Sequence, residues 1–291
     1  MGKLGFILLF FFGMVVTQAQ EALKPEITKV WTTKGNFSVL FNQSTFNNWL
    51  SGGENNFSGN LGFNYDFNYK KGDWTWDNKL LAFYGLVKTK NTPFEKKTDD
   101  RFEYNALLGK KATGNWYYSA FLNFRTQMTN GYVYGKDTNG AEIRNKTTTI
   151  ISPGYLTFGP GVLWKRNNNL KCNFAPFTSK ITIVDPSSTL PNAAYFGVSE
   201  GESLRYELGL YASGYYKFNL MANVALENML NLYANYLEQP GNIDIDYQLN
   251  VVLKINRYLS TNISLQAVYD DNAFSGFQTR QVMGLGFNLG F

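Results

Sequence analysis

Apolar and polar residues alternate along most of the chain. In NFSGNLGFNYDFNYK (residues 56–70) and IDIDYQLNVVLKI (residues 243–255), nearly every second residue is large and apolar, and most residues between them are polar or glycine. A period of two places the apolar set on one face of a β-strand. The pattern therefore predicts strands that each carry one apolar face.

The alternation continues through the whole chain in short segments. These segments begin near Lys34, Phe57, Trp74, Asp100, Trp116, Pro153, Leu170, Leu204, Met221, Ile243, Leu259 and Gln278. About twelve strands is an even number, as single-chain bacterial barrels have. Pro160 and Pro176 interrupt the two segments around Arg166, and proline within a strand usually marks an edge or a bulge. No amphipathic helix pattern is available to cover so many apolar faces, so an exterior that faces lipid is the economical arrangement.

The connections between segments alternate in length. Short turns are predicted at residues 70–73, 111–115, 165–169, 217–220 and 256–258, and longer loops at 43–56, 89–99, 129–149, 184–203, 237–242 and 270–277. Four tryptophans, Trp74, Trp76, Trp116 and Trp164, flank the short turns at outward-facing positions. Short periplasmic turns, longer outer loops and an aromatic girdle are typical of outer-membrane barrels. Aromatic residues that simply fill a soluble core, the alternative interpretation, would be scattered along the strands.

Composition and the N-terminus support the same class. Aromatic residues and charged residues each make up 17% of the chain, and soluble domains usually contain roughly 25% charged residues. MGKLGFILLFFFGMVVTQAQ has a short basic start, an apolar run and a small residue at Ala19, which is typical of a secretory signal. The net charge of +5 is mild and scattered, so no nucleic-acid partner is expected.

These patterns predict an all-β protein, a transmembrane up-and-down antiparallel β-barrel of about twelve strands. Residues 1–19 are expected to be a cleaved signal peptide, 20–33 an N-terminal periplasmic lead and 34–291 the barrel. The expected location is the outer membrane, where the barrel would contact lipid and lipopolysaccharide. The sequence contains one cysteine, Cys172, which cannot form an internal disulfide and is expected on the outward face with Leu170 and Phe174.

Several motifs resemble a known family. They are FNQSTFNNWLSGGEN (residues 41–55), WTWDNKLLAFYG (74–85), KTDD (97–100), NWYYSAFLNF (115–124) and VYDD (268–271). They are similar to a family of Bacteroidota outer-membrane proteins known only as a domain of unknown function. The resemblance runs from about Trp31 to the C-terminus and implies an outer-membrane barrel. It implies no activity and transfers no site residues.

The candidate chemistry lies on the inward-facing positions. The charged residues there are Lys79, Arg101, Glu103, Arg125, Arg205, Glu207, Glu227, Lys254 and Arg280. Mixed charges that face a lumen can line a narrow passage for small solutes or ions, or they can pair and fill the barrel as a polar plug. Tyr117, Phe121, Tyr211 and Tyr215 add bulk on the same face and favour a narrow or occluded passage. Both hypotheses remain open: a transport protein, or a plugged barrel that is structural or binds an envelope partner.

Catalysis is not expected. The chain contains no histidine, which removes the histidine-dependent triads, dyads and zinc sites. Catalysis by carboxylates alone is a remote alternative. No catalytic residue, metal site or cofactor is therefore predicted.

The loops and rims carry three further features. Trp49 and Leu50 lie in a polar, glycine-rich loop and are expected to fold over the barrel mouth or to meet a partner protein. Acidic pairs near the outer strand ends are either divalent-cation ligands at lipopolysaccharide or ordinary solvated loop acids. These pairs are Asp99 with Asp100, Asp244 with Asp246, and Asp270 with Asp271. Basic residues are frequent at the short turns, where they either contact lipid phosphates or keep the turns soluble. They are Lys70, Lys71, Lys110, Lys111, Lys165, Arg166, Lys217, Lys254 and Arg257.

The C-terminal strand resembles the signal that the outer-membrane assembly machinery reads. Gly286, Leu289 and Phe291 match its spacing, whereas Gly284 departs from its polar first position. We expect removal of Phe291 to lower assembly far more than it lowers the stability of any barrel that forms. Quantifying the truncated protein in the outer membrane tests this, and an abundance equal to that of the full chain would contradict it.

Overall fold

The structure is a computed structural model that describes residues 29–45, 55–90, 92–189 and 195–290. Over these residues the chain is almost entirely β-structure, with one short 3₁₀ turn at Pro186–Ser188. None of its helical segments has the length and apolar character that a membrane span requires. The strands are β1 (Trp31–Ser44), β2 (Asn56–Lys71), β3 (Trp74–Thr89), β4 (Lys96–Thr113), β5 (Trp116–Thr126), β6 (Gly131–Lys136), β7 (Glu142–Thr148), β8 (Gly154–Asn167), β9 (Leu170–Ile183), β10 (Leu204–Met221), β11 (Val224–Asn235), β12 (Ile243–Lys254), β13 (Leu259–Asp270) and β14 (Phe274–Gly290).

Twelve of these strands close into one antiparallel barrel, as the sequence predicts. The ring runs β1, β14, β13, β12, β11, β10, β9, β8, β5, β4, β3 and β2, and β2 returns to β1. Closure leaves no open sheet edge, so backbone groups are paired between strands all the way around. β6 and β7 form a separate hairpin in the predicted loop at residues 129–149.

Several predicted boundaries differ from the structure. The short turn predicted at residues 217–220 lies within β10, so β11 begins at Val224 and not near Met221, and β4 begins at Lys96 and not near Asp100. The connection predicted as a long loop at residues 270–277 contains only three residues between β13 and β14. β13 and β14 extend further than the alternation of apolar and polar residues indicates, because Tyr269 still pairs with Phe277. A register shift then places Asp270 opposite Phe274. β1 begins at Trp31, so the last residues of the predicted periplasmic lead belong to the barrel.

The two prolines lie at a bulge between β8 and β9. The pairing jumps there from Phe158 with Ser179 to Val162 with Phe174, which spans the positions of Pro160 and Pro176. Gly159 is required beside this bulge because a Cβ atom on it would lie 2.5 Å from the carbonyl oxygen of Phe177. Proline and glycine thus bend the wall without breaking the barrel.

The outward face of the barrel is apolar and carries an aromatic girdle at the short-turn end. Trp74, Trp76, Trp116 and Trp164 lie on this face beside the turns, and the ring centroid of Trp31 is 5.1 Å from that of Tyr69. Large exposed apolar side chains continue along the strands at Phe41, Phe57, Leu61, Phe158, Phe174, Phe177, Leu204, Met283, Leu285, Phe287 and Leu289. Cys172 is exposed on the same face.

β1 and β14 close the ring over a short register. Their pairing runs from Asn36 with Gly290 to Phe41 with Leu285. Leu40 lies on the inner side and is only 8% exposed, because its side chain packs over the bare backbone of Gly284 and Gly286. Gly286, which belongs to the predicted assembly signal, therefore allows Leu40 of β1 to pack closely against β14 where the ring closes. Leu289 projects outward. Phe291 lies outside the described residues.

Candidate functional site in the barrel lumen

The predicted charged residues lie mostly inside the barrel. Arg101, Glu103, Glu207 and Glu227 are each at least nine-tenths buried. Lys79, Arg125, Arg205 and Arg280 are partly buried and take part in ion pairs. Lys254 is the exception, because it lies exposed at the short-turn end of β12. Trp49 and Leu50 lie outside the described residues.

Arg101 ties opposite walls of the barrel together. Its Nε donates to Glu103 at 3.0 Å, its Nη2 donates to Gln248 at 2.8 Å, and its Nη1 donates to Gln266 at 3.3 Å. The ring order places β4, which carries Arg101, six strands from β12, which carries Gln248. In a twelve-stranded ring these strands are diametrically opposed, so this hydrogen bond crosses the bore.

Two more ion pairs span the lumen. Arg125 of β5 donates to Asp246 of β12 at 2.6 Å, and its guanidinium lies over the ring of Tyr155. Lys79 of β3 lies 3.0 Å from Glu227 of β11, and these strands are also diametrically opposed. Charge-assisted hydrogen bonds of this kind are among the stronger polar contacts in proteins.

Aromatic side chains narrow the bore beside these pairs. The rings of Phe121 and Tyr211 stack with centroids 4.3 Å apart. Together with Ala175 and Tyr233 they form the buried apolar cluster of the described residues, against which Leu107 packs. We call the combined layer the belt, defined as Arg101, Glu103, Arg125, Asp246, Gln248, Gln266, Phe121, Tyr211 and Tyr233.

The belt separates two sizeable cavities. The short-turn vestibule, about 480 Å³, is lined by Asn169, Lys79, Asn173, Tyr215, Phe121 and Tyr211 among others. The loop-side vestibule, about 470 Å³, is lined by Lys97, Asp99, Arg125, Phe196, Gln278 and Arg280 among others. A small cavity of about 80 Å³ lies between them, and Glu103 and Tyr211 line both it and the short-turn vestibule.

Five of the six outer acidic residues line cavities of the lumen, namely Asp99, Asp100, Asp244, Asp246 and Asp270. Lys180 Nζ lies 2.7 Å from Asp244, 3.3 Å from Asp270 and 3.4 Å from Glu207. Asp99 pairs with Arg280. The oxygens of Asp244, Asp270 and Asp271 approach within 4.8 Å of one another, but Lys180 already supplies a cation to the first two.

Some basic residues of the predicted rim also turn inward. Lys165 is buried and lies 2.7 Å from Asp77, which also accepts from Lys171 at 2.7 Å. Lys217 lies 3.2 Å from Glu227. The other predicted rim residues are exposed at the short-turn end. Sequence analysis missed Asp77, Lys171, Lys180, Gln248 and Gln266, although their inward parity would have placed each of them on the lumen face.

A described loop covers part of the mouth. Tyr195 and Phe196 contact each other edge to face with ring centroids 4.7 Å apart, and Phe196 lines the loop-side vestibule. The hydroxyl of Tyr195 donates to the carbonyl of Thr147, which connects this loop to β7. Burial raises the pKa of Tyr195, so the phenol stays protonated as a donor at neutral pH.

This combination defines a class of protein. A closed up-and-down barrel with an apolar exterior, an aromatic girdle and a charged interior is the architecture of outer-membrane barrels. Residues 41–132 match the model of a family described as "Protein of unknown function (DUF3078)". The match contains the motifs at residues 41–55, 74–85, 97–100 and 115–124, so it confirms that resemblance. The Bacteroidota assignment stays a prediction.

The chain is distantly similar to solved structures of outer-membrane proteins. The translocator domain of the autotransporter NalP from Neisseria meningitidis is 7% identical, with 90% of this chain and 87% of that chain covered and a TM-score of 0.40. The β domain of the Bordetella autotransporter BrkA is 10% identical, with 90% and 98% covered and a TM-score of 0.32. The outer-membrane channel DcaP of Acinetobacter baumannii is 8% identical, with 90% and 97% covered and a TM-score of 0.30. No curated protein matches the chain.

Proposed function

We propose that this protein is an integral outer-membrane barrel that provides a narrow passage for small solutes and is closed at mid-height by the belt. The observation that carries the proposal is the pair of vestibules of about 480 and 470 Å³ on one bore, with side chains of the belt and the small cavity of about 80 Å³ between them. Among the described residues, no folded domain would have to leave for the bore to open. Rearrangement of a few side chains would connect the two vestibules.

The outer-membrane location rests on the barrel surface and the N-terminus. Phe177, Met283 and Phe174 are 67%, 62% and 51% exposed on the outward face, which is unfavourable in water and favourable in lipid. The tryptophan girdle marks one membrane interface, and the exposed lysines beside it, such as Lys110 over the ring of Trp74, lie at headgroup level. The predicted signal peptide supplies the export route, and the assembly machinery and lipopolysaccharide are the proposed envelope partners.

A plugged structural or partner-binding barrel is the second candidate. The bonds that cross the bore, Arg101 with Gln248 and Lys79 with Glu227, favour it because they brace opposite walls. An enzyme is not proposed, since the chain contains no histidine and the sequence offers no catalytic residue.

Conductance in planar bilayers tests the passage. The wild-type barrel should conduct weakly. The double variant Arg101→Ser/Glu103→Ser should conduct several-fold more, because it removes both charged side chains of the Arg101–Glu103 ion pair and leaves neither charge without its partner. The matched control is Lys96→Ser/Glu142→Ser, which removes an ion pair of 2.6 Å outside the lumen and should conduct like the wild type.

Folding of each variant is checked by heat-modifiable migration on unboiled gels. If the folded wild type and the folded belt variant are both silent in bilayers and take up no solute in liposomes, the plugged barrel replaces the passage.

A further inference from the structure

The short-turn vestibule is built like a binding site. Its volume of about 480 Å³ falls within the roughly 300–1,000 Å³ of typical ligand pockets. The stacked rings of Phe121 and Tyr211 lie where it meets the belt. Seven asparagines line it, namely Asn68, Asn78, Asn105, Asn168, Asn169, Asn173 and Asn231. This cavity therefore combines amide groups with aromatic and aliphatic surface.

Apart from the exposed Lys34, the charged residues that line this vestibule are paired with neighbours. Lys171 pairs with Asp77 at 2.7 Å, and Lys79 lies 3.1 Å from Asp66 as well as 3.0 Å from Glu227. Lys217 lies 3.2 Å from the same Glu227. A charged ligand would have to compete with these ion pairs, so the lining favours a ligand without net charge.

One buried amide in the vestibule has an unused donor. Asn173 is 3% exposed, and its Oδ1 accepts a hydrogen bond of 2.6 Å from Ser119. Its Nδ2 has no hydrogen-bond partner among the described residues. Leaving a buried donor unpaired costs free energy. Since Asn173 lines the vestibule, a small rotation of its side chain would let Nδ2 donate to an acceptor oxygen of a bound ligand.

The chemistry that complements this lining is that of a neutral sugar. A carboxamide offers two donors and one acceptor on one planar group, which suits neighbouring hydroxyls that each donate and accept. The carbon–hydrogen faces of a sugar ring pack well on aromatic surface such as Phe121, Tyr211 and Tyr215. Asn231 is held in place for such contacts because its Oδ1 accepts from Tyr211 at 2.8 Å.

We propose that the short-turn vestibule binds a neutral, hydroxyl-rich ligand of the mono- or disaccharide class and that Asn173 donates to it. The inference that such ligands are the solutes of the passage rests on the proposed function. Binding of the ligand to the vestibule is measured separately.

Calorimetric titration of the full-length barrel in detergent tests the site. The probes are glucose, maltose and N-acetylglucosamine, with lysine and citrate as charged comparisons. At least one neutral sugar should bind, and Asn173→Leu should weaken its binding about tenfold, which corresponds to about 1.4 kcal/mol. Ser213→Leu should also weaken binding, because its larger, apolar side chain occupies part of the vestibule beside Tyr211 and Tyr215, and it serves as the second variant if Asn173→Leu does not fold.

The matched control is Asn250→Leu. Asn250 faces the lumen, accepts from Ser264 at 2.9 Å and is not part of the vestibule lining, so its replacement should leave sugar binding unchanged. The inference is overturned if no sugar binds the folded wild type, if only a charged probe binds, or if folded Asn173→Leu and Ser213→Leu bind sugar like the wild type. Sugar binding without conductance would refute the passage alone, and conductance without sugar binding would refute this site alone.

Discussion

Replacement of Lys180 by methionine should lower the free energy of unfolding by about 3–5 kcal/mol, the usual effect of breaking a buried ion pair. Lys180 is a single cation within 3.4 Å of three carboxylates, those of Asp244, Asp270 and Glu207. Methionine keeps the length of the side chain but leaves these carboxylates close together without their shared cation. Urea titration of the barrel in detergent, read as the folded fraction on unboiled gels, measures the effect.

The control for this experiment is Lys96→Met. Lys96 also forms a close ion pair, 2.6 Å from Glu142, but its side chain is 38% exposed. Exposed pairs contribute about 0–1 kcal/mol, so this variant should unfold nearly like the wild type. Equal losses in the two variants would show that burial within the lumen does not determine the energetics of these pairs.

Gly286→Val should sharply reduce the amount of folded barrel. A Cβ atom at Gly286 would overlap the carbonyl oxygen of Val39 and lie 2.7 Å from Leu40 Cδ2. The backbone contact cannot be relieved by rotation of a side chain, so β1 and β14 must move apart where they close the ring. The abundance of heat-modifiable protein in the outer membrane measures the loss.

Gly214→Val is the matched substitution. Gly214 also lies within a barrel strand, but a Cβ atom there meets nothing within 4 Å, so this variant should assemble like the wild type. If Gly286→Val accumulated to the same level as Gly214→Val, the close approach of β1 and β14 would not limit assembly.

The barrel strands were predictable because alternation is a local property. The segment beginning at Trp74 starts as predicted, and so do those at Trp116 and Leu170. The β6–β7 hairpin escaped prediction because its strands are short and lie in a polar loop. The tight connection at residues 271–273 escaped because register, and not composition, determines where β14 begins.

The sequence predicts which residues line the lumen but not which of them pair with each other. Parity places Arg101 and Glu227 inside, and both lie there. Which residues meet across the bore depends on the number of strands and on their stagger, and these properties belong to the closed ring. The partners of Lys79 and Arg101 on opposite walls are therefore visible only in three dimensions.

The bonds across the bore have a consequence for the order of folding. Arg101 and Gln248 are separated by 147 residues, and Arg280 and Asp99 by 181. Contacts of such long range form late, because the chain entropy of closing the intervening segments must be overcome first. Until the ring closes, these side chains remain hydrated on an open sheet. We therefore expect the cross-bore pairs to be absent from the folding transition state and to act mainly by slowing unfolding, so that they make a completed barrel kinetically long-lived.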